Sequence, residues 1–364
     1  MMGKPKMLSR RDFLKASALT AGALALPKAE LPRVYKPQTY PDGANLGRIC
    51  AGDIGAWTEV KSEPNISAPM TARIYRDEIV EVKHEVIASS LDLNRINQRW
   101  VETPQGYIYS PYVQPVKNKI NKPLDKMPLD DEGKPGMWVE ITVPITGLEL
   151  TRTPASFWLK DMLVPKLYYS MIFWALDLRQ NNGKTEYLLT QLYGAAPDTF
   201  WVDATACKPL TKEDTSPIRP EAQDKIIKID LNYQTLSCYE GKNEVYYCDI
   251  SSGGKKTDGT WSTPVGEHII WRKLVSIHMS AGGLWAFDSP GIGWVTLFDS
   301  NGAAIHSAYW HNNFSTAISH GCVNCRPDDA QFIWRWTLPE VNYYPGELTV
   351  RSLGYSTHVD VHGT

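Results

Sequence analysis

The sequence predicts a mainly β protein in which two small barrels precede a larger β-rich domain that contains one short helix. Three observations support this fold class. Short apolar segments alternate with turn residues along most of the chain, and 25 prolines and 26 glycines are scattered among them. Two stretches of the N-terminal half resemble each other. Aromatic residues, which strands favour, are abundant, with 13 Trp and 18 Tyr.

Length, apolar content and charge narrow the classes of protein to consider. The 364 residues are too many for one small core and favour two or three domains. Apolar residues make up 43% of the chain, which is ordinary for globular proteins, and the formal net charge is −2. Because a nearly balanced charge offers no basic face, we expect no nucleic-acid partner.

The first 29 residues carry the features of an export signal. A charged stretch with paired arginines, residues 9–15, precedes an apolar run at residues 16–26, and small residues surround the end of that run. Paired arginines ahead of Phe and Leu resemble a twin-arginine signal, which implies export of an already folded chain. We therefore expect the protein to work in the cell envelope, the periplasm or the extracellular wall. The alternative is an uncleaved signal that tethers it to the membrane.

Residues 30–45 are rich in proline and are interpreted as a linker to a repeated β region. The repeat comprises residues 46–117 and residues 135–213. Each copy has an upstream strand, an aromatic opening run, and a closing run in which a short turn precedes a strand with proline. The matching segments are 59–64 with 149–154, 73–80 with 167–173, and 107–116 with 201–210. The closing pattern resembles bacterial SH3-like domains, and we expect two such barrels.

The SH3-like resemblance leaves two roles open. The copies could hold glycan or peptide of the cell wall, or they could be spacers that shape one side of a catalytic cleft. The six cysteines are too few for a disulfide scaffold. Cys50 and Cys207 could still tie the copies together in an oxidising compartment, provided that their Cα atoms come within about 7 Å.

After a proline-bearing linker at residues 216–220, alternating strands begin, and we expect a β-rich catalytic domain at residues 224–353. Cys238 and Cys248 lie asymmetrically about a tight turn at residues 240–243. Because a simple hairpin would not place them opposite each other, we expect no bridge between them. The first expected strands are 226–231, 234–239 and 244–250.

One helix and a tail complete the expected domain. Pro327 is followed by two acidic residues, and this combination suits the first turn of a helix. We expect that helix to stop at Pro339. Residues 354–364, which include His358 and His362, are interpreted as a polar tail.

A thiol and a histidine near the C-terminal end are the candidate chemical groups. Cys322 lies in the run Ser319–Asn324, and His306 precedes it by about 16 residues, enough chain for the two to meet. A cysteine attacks as its thiolate, so it needs a base such as His306, whose other nitrogen the Ser307 carbonyl could orient. Gly321 permits tight backbone geometry, and nearby amides could form an oxyanion hole. The dipole of the helix that follows should lower the thiol pKa.

These residues resemble the signature of the L,D-transpeptidase (YkuD) family. The resemblance rests on His306, a gap, and the Ser-His-Gly-Cys-Val-Asn run at residues 319–324. A Thr-Pro-x-Gly turn at residues 263–266 and the segment Asp-Ser-Asn-Gly at residues 299–302 fit the same family. The resemblance covers about residues 224–353.

The resemblance implies acyl transfer between peptidoglycan stem peptides, with no cofactor and no metal. Cys322 would attack the carbonyl between an L-centre and a terminal D-residue, and the thioester would pass to an amine of a neighbouring stem. His306 would be the base, and Ser307 would orient it through its carbonyl. Further residues would shape the site (Gly321, His320 and Asn324) or contact substrate (Trp310 and His311).

Two positions depart from the family pattern. Many relatives carry a Tyr hydroxyl near the oxyanion, and the nearest candidate here is Phe287, so that role is left unassigned. Cys325 stands where an aliphatic residue is usual. It could be a small buried hydrophobe, or it could form a reversible bridge with Cys322 that silences the enzyme.

Alternative functions remain open. One alternative is an L,D-carboxypeptidase, which would use water instead of an amine as acceptor. Another is a wall-binding protein whose catalytic domain is inactive. A metal cluster could be read in His306, His311, His320, Cys322 and Cys325. Their spacing matches no structural zinc pattern, so we expect no metal. His268 and His278 are interpreted as structural.

Overall fold

Short strands dominate the described part of the computed structural model, which comprises residues 38–52, 56–130, 133–160, 164–195, 198–281, 287–350 and 353–364. The predicted signal and the first part of the predicted linker lie outside the described residues. The strands fall into three groups along the chain, and the described residues form one compact unit.

The first group forms two sheets that together contain eight strands. A three-stranded sheet has the order β4-β1-β8, and a five-stranded sheet has the order β3-β2-β7-β6-β5. A 3₁₀ turn, Ser110–Tyr112, precedes the last strand. The strands are β1 Leu46–Ile49, β2 Trp57–Lys61, β3 Met70–Tyr75, β4 Ile79–Glu81, β5 His84–Ile87, β6 Arg99–Thr103, β7 Gly106–Tyr109 and β8 Val113–Val116.

The second group also forms two sheets. Six strands pair in the order β11-β15-β14-β13-β9-β16, and β10 pairs with β12. A 3₁₀ turn, Ala204–Ala206, again precedes the last strand. The elements are β9 Met137–Ile141, β10 Ile145–Gly147, β11 Glu149–Leu150, α1 Phe157–Lys160, β12 Lys166–Tyr168, β13 Ile172–Asn181, β14 Lys184–Thr190, β15 Thr199–Asp203, β16 Cys207–Pro209 and α2 Lys212–Thr215.

The predicted internal repeat is visible in the backbone of these two groups. Asp77 donates its N–H to the carbonyl of Ile49, and Ser170 donates to Ile141, both at 2.8 Å. Both donors have a φ of 69°, which non-glycine residues seldom adopt. Other bonds recur in the same way: Ile49 N to Glu78 O with Ile141 N to Met171 O, and Cys50 N to Tyr112 O with Thr142 N to Ala206 O. The identity of the copies as SH3-like barrels stays a prediction.

The third group forms two five-stranded sheets, in the orders β19-β18-β17-β26-β20 and β24-β23-β22-β21-β25. The predicted helix is present as α3, which begins at Pro327 and ends before Pro339. The elements are β17 Lys225–Asp230, β18 Thr235–Glu240, β19 Asn243–Asp249, β20 Gly266–Ile269, β21 Arg272–Ala281, β22 Phe287–Leu297, β23 Ala304–Ser307, β24 Val323–Cys325, α3 Pro327–Trp336, β25 Glu347–Thr349 and β26 His358–His362.

The largest core contains side chains from both of these sheets and from α3. Burial of apolar side chains from the two sheets and the helix stabilises the positions of β23 and β24. Its members include Ile227, Ile229 and Leu236 from one sheet, Ile305 and Val323 from the other, and Ala330, Ile333 and Trp334 from the helix.

The predicted tail is wrong. Residues 358–362 form β26, which pairs in parallel with β17 and antiparallel with β20. Val359 and Val361 are buried at 1% exposure, while His358 and His362 point to solvent. This alternation is the ordinary pattern of a strand with one buried face, and its five residues were too short a segment to stand out in a polar stretch.

The suggested bridge between Cys50 and Cys207 is also wrong, since both are free thiols. Each sulfur lies against the backbone of its own copy. Cys50 Sγ donates to Pro111 O and Cys207 Sγ to Asp203 O, each at 3.7 Å. The two cysteines occupy different positions of the repeat, so the repeat does not bring them together.

Candidate active site

Strand register brings Cys322 and His306 to one face of the second C-terminal sheet. β23 and β24 are parallel neighbours, and His306 lies opposite Asn324. Ile305 and Val323, also opposite each other, face the core. Because side chains alternate along a strand, His306, Cys322 and Asn324 face the other way.

That face opens into a cleft of about 1050 Å³. It is the size of an ordinary ligand site. Its wall combines six of the predicted site residues with charged and aromatic side chains such as Lys256 and Phe287. The predicted residues in the wall are His306, Trp310, His320, Gly321, Cys322 and Asn324.

Cys322 is half-buried in the bend that directly precedes β24. Burial raises the pKa of the Cys322 thiol, and the backbone N–H of Ala304 opposes that shift. The thiol lies 3.9 Å from the carbonyl of Gly302. These surroundings favour the protonated thiol, so attack requires a base that removes its proton.

The expectation that the helix lowers this pKa is wrong. β24 and Arg326 separate Cys322 from the first residue of α3, Pro327. The field of a helix dipole falls off within its first turn, and a strand rises about 3.3 Å per residue, so the thiol lies beyond its reach.

His306 is a buried, neutral imidazole. Its Nδ1 lies 3.0 Å from the carbonyl of Ser307, and burial lowers the pKa of His306 to about 4. A carbonyl only accepts hydrogen bonds, so Nδ1 carries the proton and Nε2 keeps its lone pair. The ring of Trp310 packs beside it, with centroids 5.8 Å apart. The imidazole is therefore fixed in the tautomer that can accept a proton.

The backbone before Cys322 is held by Thr263. The Thr263 hydroxyl donates to Gly321 O at 2.9 Å and accepts from Gly253 N at 2.8 Å. Since a peptide unit is planar and trans, fixing the Gly321 carbonyl also fixes the Cys322 N–H on the opposite side. The sequence contained Thr263 in its Thr-Pro-x-Gly turn, but its role as a support of the nucleophile loop was missed.

Gly321 is required by the geometry of that loop. Its φ is +151°, and an added Cβ would lie 3.1 Å from the Ser262 carbonyl. Ser319 completes the loop, because its hydroxyl donates to Cys322 O and accepts from Gly321 N. The backbone N–H groups around the thiol are thus held in a fixed orientation before substrate binds.

The structure does not bring His311 to the cleft wall, contrary to the expected substrate contact. His311 is 7% exposed, and burial lowers its pKa to about 3. Asn313 N–H donates to its Nδ1 at 3.1 Å, and the Asn324 amide lies 2.9 Å from its Nε2. Because Nδ1 accepts, Nε2 carries the ring proton, and the side-chain amide of Asn324 is its partner. The buried His311 therefore holds the side chain of Asn324 in place through this contact.

His320 and Phe287 form one edge of the cleft. Their rings stack with centroids 5.8 Å apart and an interplanar angle of 17°. His320 is exposed, while His306 is buried. His320 therefore lies at the mouth of the cleft, whereas His306 lies inside it.

Cys325 faces away from Cys322, into the core. Contact with the Cys248 thiol and burial raise the pKa of the Cys325 thiol well above its usual value. This arrangement fits the interpretation of Cys325 as a small buried hydrophobe and not the bridge to Cys322. His268 Nε2 donates to Pro264 O at 3.1 Å, and His278, which lines the cleft, pairs with Asp288.

No group of three or more His, Cys, Asp or Glu side chains within the described ranges is arranged to hold a metal ion. Within the same ranges, no helix has the length and apolar character needed to cross a membrane.

A thiol, a neutral imidazole and oriented backbone N–H groups on one cleft wall define the class of cysteine-dependent acyltransferases. Residues 224–350 match the L,D-transpeptidase catalytic domain family, YkuD, and residues 7–27 match the TAT (twin-arginine translocation) pathway signal sequence. The chain therefore carries a domain that matches the YkuD L,D-transpeptidase catalytic family and a twin-arginine signal for export.

Several solved structures with similarity to the chain are L,D-transpeptidases. The catalytic domain from E. faecium shares 24% identity over 38% of this chain and 98% of its own, with a TM-score of 0.30. The enzyme from Xylanimonas cellulosilytica shares 21% over 39% of this chain, with a TM-score of 0.26, and that from Stackebrandtia nassauensis shares 18% over 42%, with a TM-score of 0.28. The chain spans 61% of the length of each of these last two. No curated protein matches the chain.

Proposed function

We propose that this protein is a peptidoglycan L,D-transpeptidase in which Cys322 is the nucleophile and His306 the base. The observation that carries the proposal is the arrangement of Cys322 and His306 on one face of neighbouring strands, with the Nδ1 proton of His306 held by Ser307 O. The match of residues 224–350 to the family supports the same reaction.

In the first half-reaction, a stem peptide is the acyl donor. His306 Nε2 accepts the proton of Cys322 Sγ as the sulfur attacks the carbonyl that precedes the terminal D-residue. The N–H of Cys322 would stabilise the oxyanion, whereas the N–H of Gly321, which the family resemblance also assigns to this role, already donates to Ser319 Oγ. When the intermediate collapses, the C–N bond breaks, the protonated His306 returns the proton to the leaving amine, and a thioester with Cys322 remains.

In the second half-reaction, a side-chain amine of a neighbouring stem is the acyl acceptor. The amine attacks the thioester, His306 removes its proton, and the thiolate of Cys322 leaves and is reprotonated. An amide cross-link forms and one terminal D-amino acid has been released overall. Trp310 would contact the substrate from the cleft wall, and the exposed His320 would shape the mouth.

Incubation of the exported protein with disaccharide tetrapeptide stems, followed by mass spectrometry, tests this proposal. Cross-linked dimers are the expected product. Trimmed tripeptides without dimers would identify an L,D-carboxypeptidase, which uses water as acceptor, and no product would favour a non-catalytic wall-binding protein. The Cys322→Ala variant should form neither product.

We also propose that the first SH3-like copy is the part that holds glycan or peptide of the wall. A groove of about 380 Å³ in this copy is lined by aromatic side chains, which stack well on sugar rings and peptide groups. Its aromatic members are Trp57, Trp100, Tyr109 and Tyr112. Co-sedimentation with purified sacculi should weaken in Trp57→Ala, and unchanged binding would leave the spacer role.

A further inference from the structure

A buried arginine of the first SH3-like copy reaches the loop that follows the His306 strand. Arg48 lies on β1 and is 0% exposed. Its Nη2 donates to the backbone carbonyl of Tyr309, two residues after Ser307. The same guanidinium donates to Asp77 Oδ1 at 2.8 Å and to Gln114 Oε1 at 3.0 and 2.7 Å. One side chain therefore links the turn at Asp77 and strand β8 of the first copy to residues 309–312, the active-site loop.

The second copy also contacts Asp77, the partner of Arg48. Lys166 Nζ lies 2.6 Å from Asp77 Oδ2, and the hydroxyl of Tyr168 donates to that oxygen at 3.1 Å. The guanidinium of Arg48 lies 4.2 Å above the Tyr168 ring, which also stacks on Tyr309. Burial acts to raise the pKa of Asp77, but the charges of Arg48 and Lys166 outweigh it and hold the pKa below its usual range.

The other end of the active-site loop is bonded to the first copy as well. Asn312 N–H donates to Pro111 O at 3.3 Å, and its side-chain amide donates to Ser110 O at 3.2 Å. Tyr309 and Asn312 flank Trp310, whose ring packs on His306. The residues that carry Trp310 are thus held at both ends by backbone and side-chain contacts from residues 46–116.

The stability of the fold does not by itself explain why a charged side chain, Arg48, is buried at this position. Burying a guanidinium is costly, and well-packed apolar residues often serve stability as well or better. What an arginine adds is a planar fork of donors that fixes several acceptors in one geometry. The carbonyl of Tyr309 is the acceptor that belongs to the active-site loop.

We propose that Arg48 is a positioning residue, which holds Tyr309 so that Trp310 keeps the His306 imidazole aligned with Cys322. The inference rests on the proposed function, since it assigns Arg48 a part in that reaction. The first copy then completes the active site, whatever else it binds.

Two substitutions separate positioning from folding. Arg48→Met removes the whole fork but leaves Asp77 paired with Lys166. Arg48→Lys keeps the positive charge beside Asp77 but cannot also donate to Tyr309 O and Gln114. The matched control is Ile108→Ala, which removes a fully buried side chain from the core of the same copy without touching the loop.

We expect both Arg48 variants to lose about tenfold to a hundredfold in kcat on tetrapeptide stems, because small misplacements of catalytic groups have effects of this size. Arg48→Lys should do so with a thermal unfolding midpoint near that of the wild type. Ile108→Ala should lower the midpoint and keep kcat within about twofold at temperatures where it is folded. If kcat follows the midpoint in all three variants, Arg48 is only structural and the proposal is wrong.

Two readouts do not depend on turnover. Hydrogen exchange at residues 309–312 should accelerate in both Arg48 variants but not in Ile108→Ala, and the rate of Cys322 alkylation by a neutral reagent should fall. If the wild type processes no stem peptide, the proposed function fails, while these readouts still decide on Arg48. Unchanged exchange and unchanged alkylation in both variants would overturn the positioning role.

Discussion

At the scale of single residues, the site is a neutral pair. Burial raises the pKa of Cys322 and lowers the pKa of His306 to about 4, so both groups are uncharged at neutral pH. Charge then develops only during attack, where the N–H of Cys322 can stabilise it. Thr263 orients that N–H through its bond to Gly321 O, because the two groups belong to one peptide unit.

The pH dependence of activity follows from this pair. Folding lowers the pKa of His306 from 6.5 to about 4, so the imidazole stays a base until the pH falls to about 4. The stability linked to neutral His306 is present above pH 6.5 and is lost as the pH falls through about 4. The acid limb of kcat/KM should therefore lie near pH 4. An acid limb at about 6.5, the ordinary histidine pKa, would contradict the neutral buried base.

Gly321→Ala tests the nucleophile loop. The positive φ would strain an alanine by about 1–3 kcal/mol, and the loop must shift away from Ser262 O. Because the shift misplaces the oxyanion donors, kcat should fall about a hundredfold. Gly254→Ala is the matched control, since its Cβ would make an ordinary contact at 3.7 Å. Equal activity of the two variants would show that the loop tolerates the change.

At the scale of elements, two strands and a helix position the chemistry. β23 and β24 owe their register to a core that also contains α3 and the opposite sheet. The end of α3 is fixed by buried lysines, as Lys225 Nζ donates to Trp336 O at 2.8 Å and Lys273 Nζ to Thr337 O at 2.7 Å. β26 is an interior strand of that opposite sheet, between β17 and β20, so a strand near the C-terminus helps to form the core behind the site.

Val359→Asp should prevent folding. Its side chain is 1% exposed in β26, and an unpaired buried carboxylate costs several kcal/mol, a large share of the roughly 5–15 kcal/mol that stabilises a folded protein. His358→Asp, on the exposed face of the same strand, is the control. Soluble yield and the circular dichroism spectrum compare the two, and a well-folded Val359→Asp would argue against β26 as a core strand.

At the scale of the whole molecule, the N-terminal copies and the catalytic domain share contacts at more than one place. Arg48 joins the first copy to the active-site loop, and Glu140 of β9 lies where the second copy meets α3. Burial raises the pKa of Glu140 to about 7, with Lys208 opposing and Asp328 of α3 adding to the shift. The second junction is therefore sensitive to pH.

Glu140→Gln should flatten the pH dependence of stability. The folded protein favours protonated Glu140, so this contribution is fully present below pH 4.5 and is lost as the pH rises through about 7. The wild type should lose unfolding free energy over that range in urea titrations, and the variant should lose less. Glu221→Gln, an exposed site, serves as control. If the unfolding free energies of the wild type and Glu140→Gln depend on pH in the same way, Glu140 does not cause the pH dependence of stability.

The grouping of the proposed site residues was predictable from the sequence because these residues are close together along the chain. His306, Ser307 and the run Ser319–Asn324 span only two strand ends and a loop, so their meeting needs little long-range information. The helix at Pro327 was predictable for the same local reason. His311 was misplaced because adjacency to Trp310 says nothing about which side chain faces the cleft.

The sequence by itself was enough to propose the nucleophile, the base and the glycine of the loop, and it determined the export signal, because all of these depend on local pattern. Only the tertiary structure decided the pKa directions, the pairing of β26 between β17 and β20, and the hydrogen bond from Arg48 to Tyr309, which is 261 residues away. The physical reason is that burial and long-range contacts set these properties. A lone arginine in an apolar strand was visible in the sequence, but its partners exist only once the chain has folded.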